Sequence, residues 1–597
     1  MAGQRTLEIK DILDQDGLAC QIADMYSEYE MHRNKFTADK HELREYIFAT
    51  DTSSTGNSSL PWKNSIHIPK LCQIRDNLHA NYMAALFPND RSLVWEGGNE
   101  ESESKTKRDA IQAYMENKLN LGKFRTEVSK LVYDWIDWGN CFAMTEFVAE
   151  STLDEMTQEK IDGFVGPKLK RISPLDIVFN PAAASFKDSP KILRSLKSLG
   201  TLKADIQDRP ELAYYEEIFD KVIDGRQKFH GATVGDYEKS SAYQVEGFGS
   251  FGDYLGSDYV ELLDFYGDVY DRETDTLYKN HLITVVDRSY IIRKMPNPSW
   301  LGKSPIKHCG WRLRPDNLYA MGPLDNLVGM QYRIDHLENA KSDAFDLIIH
   351  PVMKIKGYVE DFDYEPNGRI FMGDDGDVEF MSPDVTALNA DTQIAMYEMK
   401  MEEMAGAPKQ AMGFRTPGEK TAYEVQVLEN GSNRIFLNKT SYFEEVFLEP
   451  VINDMLEVSR RNMGMTDLIR VFDDQYGVVD FMKVTRDDIT AAGKIRPVGA
   501  RHFARNANIV QNINQWYSSP VGQDPSVNSH ISGKRLAKAF EELLGLERFD
   551  LVADNIRVYE NAETQKLINS AQQVVMEQQA PDANAMVPQG QVPPTAG

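Results

Sequence analysis

The stretch MGPLDNLVGMQYRIDHLENAKSDAFDLII, residues 321–349, decides how the rest of the chain is read. Leu324, Leu327, Val328, Ile334, Leu337, Ala340, Ala344 and Ile348 recur near one face with charged residues between them, the period of an amphipathic helix. At ~1.5 Å per residue this predicts a helix of roughly 40 Å, ended by Pro351. A small β-like insert follows to about residue 388, with Gly357, Pro366, Gly368, Gly373 and Gly376 as turn residues, and a second helix is expected over about 389–404. Thr416, Pro417 and Glu419 then form a capping-box start with proline in the first helical position, where its missing N–H costs nothing. The helix expected from there runs over about 417–462, roughly 70 Å, weakened at Gly431 and kinked by Pro450.

Working toward the N-terminus, antiparallel strands are expected over 255–295, where YVELLDFYGDVYD and HLITVVDRSYIIRKM alternate in character. Residues 190–223 read as helical and 165–180 as strand-like runs broken by prolines. Residues 104–147 read as helical around SKTKRDAIQAYMENKLN and then as apolar through LVYDWIDWGNCFAMTEFV, which holds Trp135 and Trp138, the density of a packed core. Ile74, Leu78, Tyr82 and Leu86 make a core stripe on a helix at about 69–86, TDTSSTGNSS at 50–59 reads as a loop, and a further helix is expected from about 5 to 50, opening at Leu7, Ile9, Ile12 and Leu13. Beyond 462 come a mixed segment at 465–500, helices at about 501–516 and 531–577, and a Pro/Ala/Gln-rich tail with nothing to bury. The fold class expected is therefore α+β and helix-rich.

With 597 residues, 42% hydrophobic and 26% charged, the chain has an ordinary globular composition and room for several cores. No run of apolar residues is long enough to span a membrane, which leads us to expect a soluble protein made and kept in the cytoplasm. Cys20, Cys72, Cys141 and Cys309 lack metal or disulfide spacing and are expected to be buried or free thiols. The net charge of -26, from 66 Lys+Arg against 92 Asp+Glu, disfavours tight grip on a phosphate backbone. It suits either simple solubility or a surface past which DNA slides without sticking.

Candidate chemical motifs read as structure. Gly247, Gly249 and Gly252 spell G-x-G-x-x-G, but aromatics and further glycines follow where a helix should open, so a loop is expected. Gly302-Lys303-Ser304 lacks the first glycine of a phosphate-binding loop, Asn297 standing there, and runs into Pro305, so no ATPase is expected. The turn Gly373-Asp374-Asp375-Gly376-Asp377 lacks the ligand alternation of a calcium loop, and His308-Cys309 has no second ligand pair. Among 92 carboxylates a glycosidase-type pair is neither picked out nor excluded, so no catalytic residue is nominated, and no cofactor or metal is expected.

The order of segments from about 290 to 462 carries a family likeness. SWLGKSPIKHCGWRLRPDNLYAMGPLDNL, a long helix, a turn-rich β insert, NADTQIAMYEMKMEEMAGAPKQAMGF and RTPGEKTAYEVQVLENGSNRIFLNKTSYFEEVFLEPVINDML follow one another as they do in portal proteins, the head-to-tail connectors of podovirus-like tailed bacteriophages, which this chain resembles. The resemblance implies a wing over 1–320, a stem helix over 321–349, a clip over 350–388 and a second stem helix over 389–405. It further implies a tunnel-loop region over 406–416, a long kinked helix returning to the wing over 417–500, a helical crown over 501–577 and a disordered tail over 578–597.

It implies a ring, a homododecamer in such portals, at the head-tail vertex of the virion, through which double-stranded DNA is packaged and ejected. Its partners would be the major capsid protein, scaffolding protein, the terminase and then tail adaptor proteins, with DNA held only transiently and no membrane. Apolar faces of the stem helices would be left bare in a monomer and covered by neighbours. Lys354, Lys356, Lys409 and Arg415 are the cations that position nominates for the DNA channel. The alternatives from other classes are a cytoplasmic α+β hydrolase and another head-tail adaptor or tail subunit; long helices bracketing a small β insert suit a ring subunit better than either.

Overall fold

The structure is a computed structural model. It describes residues 7–9, 15–48, 64, 66–88, 93–98, 105–153, 160–228, 237–249, 251, 259–271, 275–298, 304–360, 369–381, 390–406, 434–464, 466–473, 478–490, 492–497, 509–510, 512–518 and 533–543. Two compact units divide the chain, one of Met1–Val471 with Asp480–Arg501, the other of Phe472–Val479 with His502–Gly597.

In the first unit, the elements run β1 (Leu7–Ile9), α1 (Gln15–Phe48), α2 (Lys70–Leu86), β2 (Leu93–Gly97), α3 (Lys105–Leu121), α4 (Phe124–Asp137), β3 (Asn140–Leu153), β4 (Lys160–Ile172), β5 (Ile177–Phe179) and β6 (Lys191–Ser198). They continue with α5 (Leu199–Asp208), α6 (Glu216–Lys228), α7 (Tyr237–Val245), β7 (Tyr259–Asp271), β8 (Thr276–Val286), β9 (Tyr290–Pro296), β10 (Ile306–Gly310), β11 (Arg312–Arg314) and β12 (Asn317–Met321). Then come α8 (Val328–Ile349), β13 (Val352–Lys356), β14 (Asp377–Met381), α9 (Asp391–Ala405), α10 (Arg434–Phe443), a π-helical turn (Glu444–Leu448), α11 (Glu449–Asn462), β15 (Thr466–Asp473) and β16 (Val478–Thr485), of which the stretch Phe472–Val479 is counted in the second unit, and then α12 (Arg486–Ile489) and β17 (Gly493–Pro497). The class is mixed α and β, as expected.

A six-stranded sheet orders β5-β6-β7-β8-β9, with β1 parallel to the end of β7. The first half of α1 packs Leu18, Ile22, Tyr26 and Tyr29 on one face of it, against Val178, Leu263, Phe265 and Ile283. The alternate residues Val260, Leu262, Val286 and Ile292 face the other way, onto Leu202 of α5 and Phe219 and Val222 of α6. This is the period of two that lets one strand serve two layers. A three-stranded sheet, β10-β3-β4, carries Phe142 and Ile306 toward Phe179 and Tyr266 of the larger sheet.

The largest core is helical. Ile74, Leu78, Tyr82 and Leu86 of α2, the expected stripe, are all buried there with Trp135 of α4, Phe443, Phe447, Met455 and the roots of α8 and α9. The indole N–H of Trp311 donates to the Tyr82 hydroxyl at 3.1 Å in its centre.

Several expectations are corrected. Leu7–Ile9 is a strand, because β7 outruns β6 and offers it a free edge. Lys191–Ser198, expected to be helical, is a strand because it lies between β5 and β7, and tertiary pairing overrides a weak helical period. The helix expected over 321–349 begins at Val328: Gly322 donates its N–H to Asp325, and the turn that results buries Leu324 and Leu327 ahead of the helix. Its 22 residues span about 33 Å at ~1.5 Å per residue.

Over 417–462 the described part is α10, the π turn and α11, and Pro450 does its work by widening the helix just before it. Glu449 N–H reaches back to Glu444, so the carbonyl that the proline ring would crowd is displaced. The expected capping box at Thr416 and the weak point at Gly431 lie outside the described residues; a reciprocal box does form where Thr485 and Asp488 open α12. In the second unit, residues 512–518 are helical and α13 spans Gly533–Leu543.

Candidate interaction site at the hairpin

Helices α8 and α9 have buried roots and bare tips. At the roots, Ile334, Met401 and Ala405 join the main core, and Lys70 of α2 meets Glu402 of α9 in a buried ion pair at 2.7 Å. A second attachment is polar. Gln331, Asp335, Asn339 and Asp343 recur every four residues down α8, one stripe of the helix, and together read the backbone of the extended segment before α2.

Gln331 donates to the Ile68 carbonyl at 2.6 Å and accepts from Leu71 N–H at 3.2 Å. Asp335 accepts from Ile68 N–H at 3.1 Å, while Asn339 accepts from Ile66 N–H at 2.6 Å and donates back to its carbonyl at 3.0 Å. Asp343 accepts from Asn64 N–H at 2.9 Å. Side chains thus supply what a sheet neighbour would have supplied to this stretch of backbone.

At the tips, β13 and β14 pair antiparallel with Val352 opposite Met381, Met353 opposite Phe380 and Ile355 opposite Val378. The hairpin continues through a bridge between Val359 and Met372, and Gly373 N–H donates to the Tyr358 carbonyl at 3.0 Å. Gly357 stands at φ 76, and a Cβ there would lie 2.1 Å from the Asp375 carbonyl oxygen, so no other residue fits this bend.

Both faces of the hairpin are open to solvent. Val352 is 57% exposed, Phe371 64% and Tyr358 76%, with Ile355, Met372, Phe380 and Met381 also exposed; Phe345, Leu347, Ile349 and Met396 extend the bare surface along the helices. A lone two-stranded ribbon is marginal in water, and exposed apolar side chains grouped in this way make the hairpin a candidate interaction site. Lys341 staples the helix pair below it, 2.7 Å from Glu338 and 2.9 Å from Asp391, and those two carboxylates hold its pKa above the ordinary lysine value.

The nominated channel cations divide. Lys354 and Lys356 project from the same side of β13, both exposed, but Lys354 lies 3.1 Å from Glu379 and Lys356 stands opposite Asp377 in register. Lys409 and Arg415 lie outside the described residues. The other motifs take structural places. Gly247 and Gly249 follow helix α7 with φ of 83 and 76, the reverse of the strand-then-helix order a dinucleotide needs.

His308 is enclosed by Phe142, Phe179 and Phe186 and donates from Nε2 to Asn140 Oδ1 at 2.9 Å. Burial, with a smaller push from Lys191, takes its pKa down to about 3. Cys309 faces Cys141 across the strands, and all four cysteines are free, Cys20 exposed. Among the described residues no cluster of three metal-ligating side chains occurs, and no helix is long and apolar enough to cross a membrane.

No family model matches this chain, and no curated protein matches it in sequence. Its chemistry is therefore read from the site alone. What the hairpin and its helices offer is a group of exposed apolar side chains. The α8 polar stripe, which fixes the helix pair to the body, was not anticipated from sequence; its Gln-Asp-Asn-Asp repeat at every fourth residue, in place of lysine or glutamate, was the signal.

Proposed function

We propose that this chain is a portal subunit of a tailed bacteriophage, assembling into a ring of about a dozen copies through which double-stranded DNA is packaged and ejected. One observation carries the reading: two helices rooted in the core lead out to a two-stranded hairpin on which, among the described residues, Val352, Ile355, Tyr358, Phe371, Met372 and Met381 are exposed. A neighbour in a closed ring covers them. On this reading α8 and α9 are stem helices and the hairpin is the clip, with the wing built from the preceding elements and the crown beyond residue 501.

Terminase and then tail adaptors dock on the clip, with the major capsid and scaffolding proteins around the wing, at the head-tail vertex of the virion. The chain acts without catalysis or cofactor. Its net charge of -26 gives each subunit a surface that repels phosphate, which keeps passing DNA from sticking, while Lys354, Lys356, Lys409 and Arg415 are assigned to steadying it.

Negative-stain electron microscopy with native mass measurement tests the proposal. Rings of about a dozen subunits around a central hole support it. A stable monomer or dimer at micromolar concentration overturns it and redirects attention to a hydrolase.

A further inference from the structure

One side chain of the extended segment joins three elements. His67 places Nδ1 2.8 Å from Asp335 Oδ2 on α8 and Nε2 3.2 Å from the carbonyl oxygen of Tyr46. Tyr46 belongs to the last turn of α1, where carbonyls lack partners along the helix, and that turn has no basic residue of its own. His67 brings a donor to that end from outside, where a positive charge is favoured.

Both ring nitrogens therefore face acceptors. A neutral imidazole has a single N–H and must turn a lone pair either on the carboxylate or on the carbonyl; only the imidazolium satisfies both. We infer that His67 is a proton-operated clasp: charged, it fastens the end of α1 and the extended segment to helix α8, and on losing its proton it lets one of them go.

The groups around it agree. On α8 stand Asp335 and Tyr332; on α1, Tyr46 with its ring centroid 5.7 Å away, and Glu42 and Glu45, whose charges reach the Tyr46 hydroxyl. The nearest cation along the chain, Lys70, is tied to Glu402 of α9 and Gln73. The hydrogen bond to Asp335 raises the His67 pKa above its ordinary value, against a smaller opposing effect of burial. A raised histidine contributes its full stability below the unfolded pKa of ~6.5 and loses it as pH rises through the higher folded value, so the clasp opens on the alkaline side. The inference concerns one subunit and stands apart from the ring.

Hydrogen exchange on the full chain tests it. Protection in the last turn of α1 and in residues 66–72, corrected for the intrinsic rate, is expected to fall several-fold between about pH 6.5 and 8.5 in the wild type and to stay level in His67→Gln. An equal fall in the variant, or none in the wild type, overturns the clasp. A second readout needs no variant: ring nitrogen shifts of His67 at about pH 6.5 should show both nitrogens protonated, and a single neutral tautomer there overturns it.

Discussion

Asn339 meets Ile66 as a neighbouring strand would, accepting from its N–H and donating to its carbonyl. Because Asn339 is itself buried, Asn339→Ala leaves two backbone groups unsatisfied, and a loss of about 2 kcal/mol in urea unfolding is expected; a loss under ~0.5 kcal/mol would show that water replaces the amide freely. His308 gives a prediction of opposite kind. Held neutral in its aromatic enclosure with a pKa of about 3, it binds fewer protons than it would unfolded, so its contribution is present above ~6.5 and is lost as pH falls toward the folded value. Between about pH 6 and 4 the wild type should lose stability more steeply than His308→Gln, by on the order of 1 kcal/mol per pH unit. Parallel slopes would mean that the ring is solvated.

For the elements, what the sequence made legible depended on whether a segment's environment is written into its own side chains. The stripe on α2 was read correctly because burial on one face selects residues at helical spacing, whereas the apolar run through Trp135 and Trp138, though buried, hides a change of element, helix to Asp137 and strand from Asn140, that its composition does not mark. The hairpin was legible as a β insert from its turn residues, and the bare helix tips followed from their apolar content. Lys191–Ser198 and Leu7–Ile9 were misread because their conformation is set by partners far along the chain. The polar stripe of α8 was passed over because polar residues on a helix are expected to face water, and here they face a backbone. The hairpin itself invites a separation of folding from assembly. Gly357→Ala should break the bend without touching the core, leaving the melting temperature within about 2 °C of wild type while abolishing, in size-exclusion profiles, the ring assembly proposed above. Tyr358→Glu with Phe371→Glu should act likewise and also lower binding of an apolar dye; unchanged assembly in both would place the subunit contact elsewhere.

Across the whole molecule, charge and connectivity have separate consequences. An excess of 92 acidic over 66 basic side chains predicts that duplex DNA shows no saturable binding by fluorescence anisotropy, even at low salt where electrostatic attraction is strongest; a salt-dependent affinity in the micromolar range would expose a basic surface that the total conceals. Connectivity concerns time. Strand β2 pairs with β17, Gly97 against Gly493 and Leu93 against Pro497, so the edge beside Trp95 stays open until nearly the whole first unit has left the ribosome. Pairings that distant close slowly, because loop entropy is lost before contacts repay it. A growing chain therefore carries its sticky hairpin into the cell before its own core is shut, and the interval between the two is when a chaperone, or premature association with a sister chain, would decide its fate.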